Sequence, residues 1–388
     1  TAMHFHIPSS SRLLLVGFLL TCSAFGIPSA ASASAFDGQY IHPNASNVQV
    51  EWWWGQAIAQ PIGNNPPAAF QFLFYQGYPV LAGPKDPTLP EFYVSINGFF
   101  PNGTQFAGTL PATSGTVSAS GQDVTGTWDG AGSFQGSADL KTFTATFDAP
   151  ALGFVGTVTL RTNANGAAHH FGCNTTSDPY FTSAVPAGAV LSDAETVLFK
   201  QLGWATTLPG AISEVNMVIG GAPLSFTGQG YHDANWATAP LNDAVSTWFF
   251  GSATVGEYDF SYVSAQAPGS TMVLTTGYLA QNGVVLQNQC SVAGKKNTDI
   301  SKATPYGLEH DAVAGVDVPT GFIIEYVLKN GECFQFNLSS IGGGAQNPDQ
   351  SIYHRWVGRA TGGKVGAKPQ NGLTVFEWLN PGLVPYSP

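Results

Sequence analysis

The chain has 388 residues, and its 24 acidic side chains against 13 basic ones leave a formal charge of −11. Charged residues make up only 10% of it and no basic stripe occurs, which argues against nucleic acid or an anionic membrane surface as partner. Scarce charge with many aromatics, glycines and threonines suits an all-β protein with an apolar interior.

Thr1-Ala2 ahead of Met3 read as an added scar. Arg12 and the apolar run Leu13–Ala24 then form a secretory signal, too short to span a bilayer comfortably. Ala31-Ser-Ala33 and Ala33-Ser-Ala35 both fit a cleavage site, so residues 1–35 are expected to be scar and signal peptide, with no later membrane span. Four sequons, at Asn44, Asn102, Asn174 and Asn337, fit N-linked glycans on a secreted or secretory-lumen protein. Cys22 leaves with the signal, and among Cys173, Cys290 and Cys333 the expected disulfide is Cys290–Cys333, both in strand-like segments of the C-terminal half.

Val50-Glu-Trp-Trp-Trp54 opens the β-rich region. Alternation along a strand sends Trp52 and Trp54 to one face, Glu51 and Trp53 to the other. One reading is a core strand whose Glu51 meets a basic partner; the other is the wall of an aromatic pocket holding one acid. Ala69–Gln76 and Glu91–Asn97 are strand-like. From Gln105 to Leu160, short strands about ten residues apart, punctuated by turns such as Asp129-Gly130, carry the signature of a sandwich or barrel. His169-His170 reads as a solvated loop, with a metal site as the alternative. Ser192 and Glu195 form a capping-box pattern that opens the one expected helix.

Ala211–Ile219 and Leu224–Gly228 are strands, followed by Gly228-Gln-Gly-Tyr-His-Asp-Ala-Asn-Trp236, where Gly228 and Gly230 permit tight backbone. Tyr231, His232 and Asp233 bring protonatable groups together. An acid can orient an adjacent imidazole if the backbone turns between them. The alternative is that they satisfy buried backbone at a barrel end. A second strand series starts at Thr247 and carries hairpin turns at Asn282-Gly283 and Asn330-Gly331. Two β domains are expected, residues 36–230 and 231–388. Glu51, Glu325, His354, Arg355 and Glu377 sit within apolar strands, and an Arg355–Glu377 pair is a plain fate for two of them.

No phosphate-cradling loop, dinucleotide fingerprint, nucleophile elbow or zinc-type spacing occurs, so no cofactor or metal is expected. Paired acids for glycoside cleavage stay open, because they need only be near in space.

Glu51-Trp-Trp-Trp54 resembles the Glu-Trp-Trp-aromatic opening of the carotenoid-hydratase-like (AttH-like, lipocalin-like) and fungal Diels–Alderase superfamily. Gly230-Tyr-His-Asp-Ala-Asn-Trp236 resembles its Gly-Tyr-x-Asp-His-Asn-Trp-like signature, and Trp248-Phe-Phe-Gly251 the strand that starts its second domain. Ala234 stands where many members have a second His, which counts against a water-adding role. The resemblance implies two lipocalin-like β domains packed together, with the pocket between or inside them.

Within that superfamily the chain is similar to secreted hetero-Diels–Alderases of tropolonic sesquiterpenoid biosynthesis. The implied reaction dehydrates a hydroxymethyl tropolone to an ortho-quinone methide, which adds a humulene-type alkene to give a dihydropyran. His232 or Tyr231 is expected to donate a hydrogen bond, with Asp233 or Glu51 assisting loss of water. Trp52, Trp54, Trp236, Trp248, His354 and Trp356 are the expected substrate contacts. A different Diels–Alderase, isomerase or hydratase on the same scaffold, or a non-catalytic carrier of lipophilic metabolites, are the competing readings.

Overall fold

A computed structural model describes residues 50–61, 65–78, 90–164, 166, 169–173, 179–294, 299–346 and 352–385. The expected signal peptide and the sequons at Asn44 and Asn174 lie outside these residues. No helix among them is long and apolar enough to cross a membrane.

The first half forms β1 (Val50–Ala59), β2 (Ala69–Gln76), β3 (Phe92–Phe99), β4 (Gln105–Pro111), β5 (Gly115–Ser120), β6 (Asp123–Trp128), β7 (Gly132–Gly136), β8 (Thr142–Ala149), β9 (Phe154–Thr162), β10 (His170–Phe171), β11 (Leu202–Ile219) and β12 (Ala222–Ala237). They make one sheet in the order β4-β3-β2-β1-β12-β11-β9-β8-β7-β6-β5, with β10 on β11. The ladders are antiparallel, as short hairpin connections dictate. Gly130 takes a left-handed φ of 84° in the Asp129-Gly130 turn. Pro209, which cannot donate to a ladder, falls in the irregular stretch of β11 between Leu208 and Ala211.

The second half forms β13 (Thr247–Val255), β14 (Tyr258–Gln266), β15 (Val273–Gln281), β16 (Val284–Val292), β17 (Ile300–Tyr306), the small hairpin β18 (Glu309–Asp311) and β19 (Val316–Val318), β20 (Gly321–Val327), β21 (Cys333–Ala345), β22 (Tyr353–Lys364) and β23 (Gln370–Leu379). Nine of them form a second sheet ordered β16-β15-β14-β13-β23-β22-β21-β20-β17. Its end strands β16 and β17 lie against each other without a hydrogen-bonded ladder, so the sheet curls almost into a barrel. Asn282 and Gly283 (φ 50° and 79°) make the tight β15–β16 hairpin that Asn-Gly favours.

Alternation along the strands sorts the apolar residues into three layers. Trp53, Phe70, Phe72, Phe74, Trp128 and Phe143 fill the inside of the first sheet. Phe260, Phe322, Tyr326, Phe336 and Phe376 fill the inside of the second. Between the sheets lies a third layer with Trp52, Trp54, Leu73, Trp204, Trp248 and Phe250. The all-β, lipocalin-like expectation is met.

The boundary expected between residues 230 and 231 falls inside β12, which holds its ladder to β1 through Ala237. The chain changes sheet between Ala237 and Thr247, across the short α2 (Leu241–Ala244) that sequence patterning did not reveal. The expected capping box does open α1 (Asp193–Lys200): Ser192 N donates to Glu195 Oε2 at 2.8 Å and Glu195 N to Ser192 Oγ at 3.2 Å.

The disulfide joins Cys173 to Cys290, not Cys290 to Cys333. Cys290 on β16 turns into the layer between the sheets, where Cys173 also lies. Cys333 starts β21, far along the strand path, and stays a free thiol. The bond closes a separation of 117 residues. Replacing both cysteines by Ser is expected to cost about 2–5 kcal/mol in denaturant unfolding. A loss within experimental error would show that packing alone fixes this junction.

Candidate active site

Two facing patches, each built by cross-strand register, make the site. On the first sheet, β2, β1 and β12 align Tyr75, Trp52 and Asn235 in one row and Leu73, Trp54 and Asp233 in the next. On the second, β13, β23 and β22 align Trp248, Leu379 and Tyr353, then Phe250, Glu377 and Arg355. All but Arg355 line, with Leu241 of α2, a narrow cavity of ≈ 40 Å³. Three indoles and a phenylalanine wall it, and two carboxylates face in. Small-molecule sites have this composition, apolar walls with a few convergent polar groups.

Asp233 is buried, and its carboxylate is held on three sides. Trp204 Nε1 donates to Oδ2 at 2.9 Å, Tyr231 Oη to Oδ2 at 2.7 Å, and Asn235 Nδ2 to Oδ1 at 2.9 Å. Burial nevertheless pushes its pKa up to about 7, helped by the negative charge of Glu377 and opposed by those three donors. A carboxyl with that pKa can give or take a proton near neutrality. Tyr231 exchanges a second hydrogen bond with Thr206 at 3.0 Å and does not line the cavity. It positions Asp233. Burial raises its own pKa well above the ordinary phenol value.

The expected Arg355–Glu377 pair forms, Nε to Oε1 at 2.6 Å, with Arg355 buried. Tyr353 Oη donates to Glu377 Oε1 at 2.8 Å, and Arg355 Nη2 donates to the same hydroxyl. The guanidinium also lies 4.4 Å from the centre of the Trp54 ring, a cation–π contact that fixes one wall of the cavity.

Several expected site residues point elsewhere, all because adjacent strand residues face opposite ways. His232 turns from Asp233 into the first sheet's interior. It stacks on Phe143 at 3.7 Å, and its Nδ1 donates to the Trp54 carbonyl at 2.7 Å. Burial lowers its pKa to about 4, so it is neutral. The backbone does not turn between them; β12 runs straight through. Glu51 is buried on the face of Trp53, away from the cavity. Trp236 packs with Leu140, Phe171 and Ala205 on the far side of the sheet, its indole seated on Gly203, where a Cβ would come within 2.2 Å of the ring. His354 and Trp356 stack on each other inside the second sheet, with His354 Nε2 3.7 Å from Asp311 Oδ2.

Trp52, Trp54, Trp248 and Asp233 are the expected residues that the fold brings together. Tyr75, Asn235, Leu241, Phe250 and Tyr353 were missed. Period-two alternation from Trp52 and Asp233 across their ladders would have found Tyr75 and Asn235. His170, expected in a solvated loop, is fully buried: it lies parallel to Tyr278 at 4.0 Å, and its pKa falls to about 3 through burial. Because His232 satisfies a buried carbonyl, its replacement by Phe is expected to cost about 1–3 kcal/mol in denaturant melts while changing turnover less than about threefold. A hundredfold loss of turnover would return it to the reaction.

Fold and site together define a protein of two lipocalin-like sheets with an indole-walled cavity between them. A family model for Diels-Alderase-like proteins matches residues 85–380, and the chain belongs to the Diels-Alderase-like family. The expectation of an enzyme is met at the level of that family. The chain is 28% identical to the quinolone epoxide rearrangement protein penF of Penicillium thymicola, over 88% of each chain. It is 27% identical to the quinolone epoxide rearrangement protein asqO of Emericella nidulans, over 78% of this chain and 76% of that one. Its fold is similar to the crystal structure of CghA with Sch210972, at a TM-score of 0.64 and 18% identity, over 90% of this chain and 96% of the other.

Proposed function

We propose that the protein is a cofactor-independent pericyclase whose cavity holds lipophilic reactants in one geometry while Asp233 handles a proton. The carrying observation is a buried carboxyl poised near neutrality inside an indole-walled cavity. A cycloaddition needs no nucleophile or redox carrier. It needs partners held in a near-attack arrangement, which can supply up to about 7–11 kcal/mol.

In its specific form the reaction joins a tropolone to a humulene-type sesquiterpene. Protonated Asp233 gives its proton to the departing hydroxyl of the hydroxymethyl tropolone as the C–O bond breaks and water leaves. The ring hydroxyl loses its proton to Asp233, leaving the ortho-quinone methide and restoring the acid. The alkene then forms one C–C and one C–O bond across it, closing the dihydropyran. Trp52, Trp54 and Trp248 sandwich the apolar partners, and Tyr353 and Asn235 offer hydrogen bonds at the cavity wall. Export through the secretory pathway is part of the proposal. A disulfide between Cys173 and Cys290 suits an oxidising compartment, and the sequon residues Asn102 and Asn337 are exposed.

A second reading has a specific basis in the two relatives described as quinolone epoxide rearrangement proteins. The same acid would protonate an epoxide oxygen as its C–O bond opens, and the cavity would direct the rearrangement. Incubating the purified chain with a hydroxymethyl tropolone plus humulene, and separately with a quinolone epoxide, distinguishes the two. Accelerated formation of a single stereoisomer from one mixture selects that reaction. Rates and stereoisomer ratios equal to those without protein in both would leave a carrier.

A further inference from the structure

The second barrel has an interior cavity of its own, on the opposite face of the strands that wall the reaction site. On β13 and β23, Trp248, Phe250 and Leu379 face the inter-sheet cavity, whereas Phe249 and Trp378 turn inward. With Val273 of β15, Leu308 and Pro319 they line a cavity of ≈ 390 Å³. The hydroxyl residues Ser264 and Thr275, both buried, are its inner polar groups.

The mouth carries charge and a lip. Lys302 on β17 and Asp317 both line it. Asp317 already faces His310, Oδ1 to Nδ1 at 3.3 Å. Lys302 is exposed and makes no ion pair among the described residues, and Glu325 stands opposite it on the β17–β20 ladder. The lip is the segment after β23. Asn380 Nδ2 donates to the Val384 carbonyl at 3.0 Å and Val384 N to Asn380 Oδ1 at 2.9 Å, which sets Val384 and Pro385 at the opening.

We propose that this cavity is a second binding site, separate from the reaction site, for an amphiphilic small molecule with an apolar body and a single acidic head. The body packs against Phe249 and Trp378, and the head meets Lys302 at the rim. An apolar interior of this size with one uncommitted cation at its edge matches that chemistry. The assignment does not depend on which reaction the other cavity carries out.

The probes are 8-anilinonaphthalene-1-sulfonate, which has apolar rings and one anionic group, and oleate as its competitor, both titrated against the full chain. Wild type is expected to bind the dye, to release it to oleate, and to bind it less tightly as salt is raised. Lys302→Glu, at an exposed position, is expected to weaken binding about tenfold and reverse the salt effect; Val273→Trp, which fills the cavity, to weaken it by about tenfold or more. No binding by wild type, or equal binding by all three proteins, overturns the site. Loss in Val273→Trp with no change in Lys302→Glu overturns the acidic head, and the converse overturns the interior location. Thermal unfolding of each variant separates lost binding from lost folding, and Lys302→Glu decides the matter if Val273→Trp does not fold.

Discussion

Asp233→Asn is expected to lower turnover about 10²–10⁴-fold, the usual worth of a positioned acid. The amide keeps the shape and fits the existing hydrogen bonds. Its oxygen can accept from Trp204 and Tyr231 where Oδ2 does now, and its NH₂ can face Asn235, whose amide turns over to present oxygen. Substrate binding should therefore survive, with the loss in kcat rather than KM. In the wild type, turnover that needs the protonated carboxyl should fall as pH rises through about 7, and the variant's residual activity should show no such limb. A variant within tenfold of wild type would show that confinement alone drives the reaction.

The same residue leaves a mark on stability with a definite sign. The folded pKa of Asp233 is about 7 against an ordinary 3.8, so the native state keeps a proton that the unfolded chain gives up. Its contribution is present at acidic pH and is lost as pH rises from 3.8 towards 7. His232 and His170 act oppositely. Their folded values of about 4 and 3 lie below the ordinary 6.5, so stability is lost as pH falls from 6.5 through them. In wild type these slopes oppose each other. In Asp233→Asn the opposing Asp233 slope is gone, and denaturant melts at roughly pH 4.5 and 7.5 should show steeper loss on the acid side than in wild type. Equal slopes in both proteins would mean that Asp233 is ionised throughout.

Much of this site was legible in the order of residues along β1. Alternation alone separates Trp52 and Trp54 from Glu51 and Trp53, and the fold keeps that division. The same rule, applied to β12, would have parted His232 from Asp233. Only a turn between the two would bring them together, and Gly228 and Gly230 permit tight backbone just before them. In the fold those glycines serve close approach: a Cβ at Gly228 would sit 2.0 Å from the Ile58 carbonyl oxygen. The second wall was not legible. Which of the β13, β22 and β23 residues meet β1 depends on how one sheet lies on another, and no local period encodes that. The Cys173–Cys290 bond escaped for the same reason, since it joins segments that only tertiary packing brings together. Arg355–Glu377 was foreseen as an ordinary pair because charged residues within apolar strands need partners, but not as a neighbour of the reactants.

Arg355→Met is expected to be the most damaging single change to stability, at about 3–5 kcal/mol, because it removes one member of a buried pair and strands the other. Glu377 then keeps only the Tyr353 hydroxyl, and Trp54 loses the cation lying on its ring. Replacing both charges, as Arg355→Met with Glu377→Met, should recover most of the loss, since apolar side chains of similar volume avoid the desolvation that the pair must overcome. The cycle of single and double variants in denaturant melts isolates their coupling. Glu377→Gln adds a readout that packing alone would not move. Glu377 raises the pKa of Asp233, so losing its charge should shift the alkaline limb of the activity profile to lower pH. A limb that stays in place, with Arg355→Met as stable as wild type, would make the pair a surface-like bystander and leave burial alone to set the protonation of Asp233.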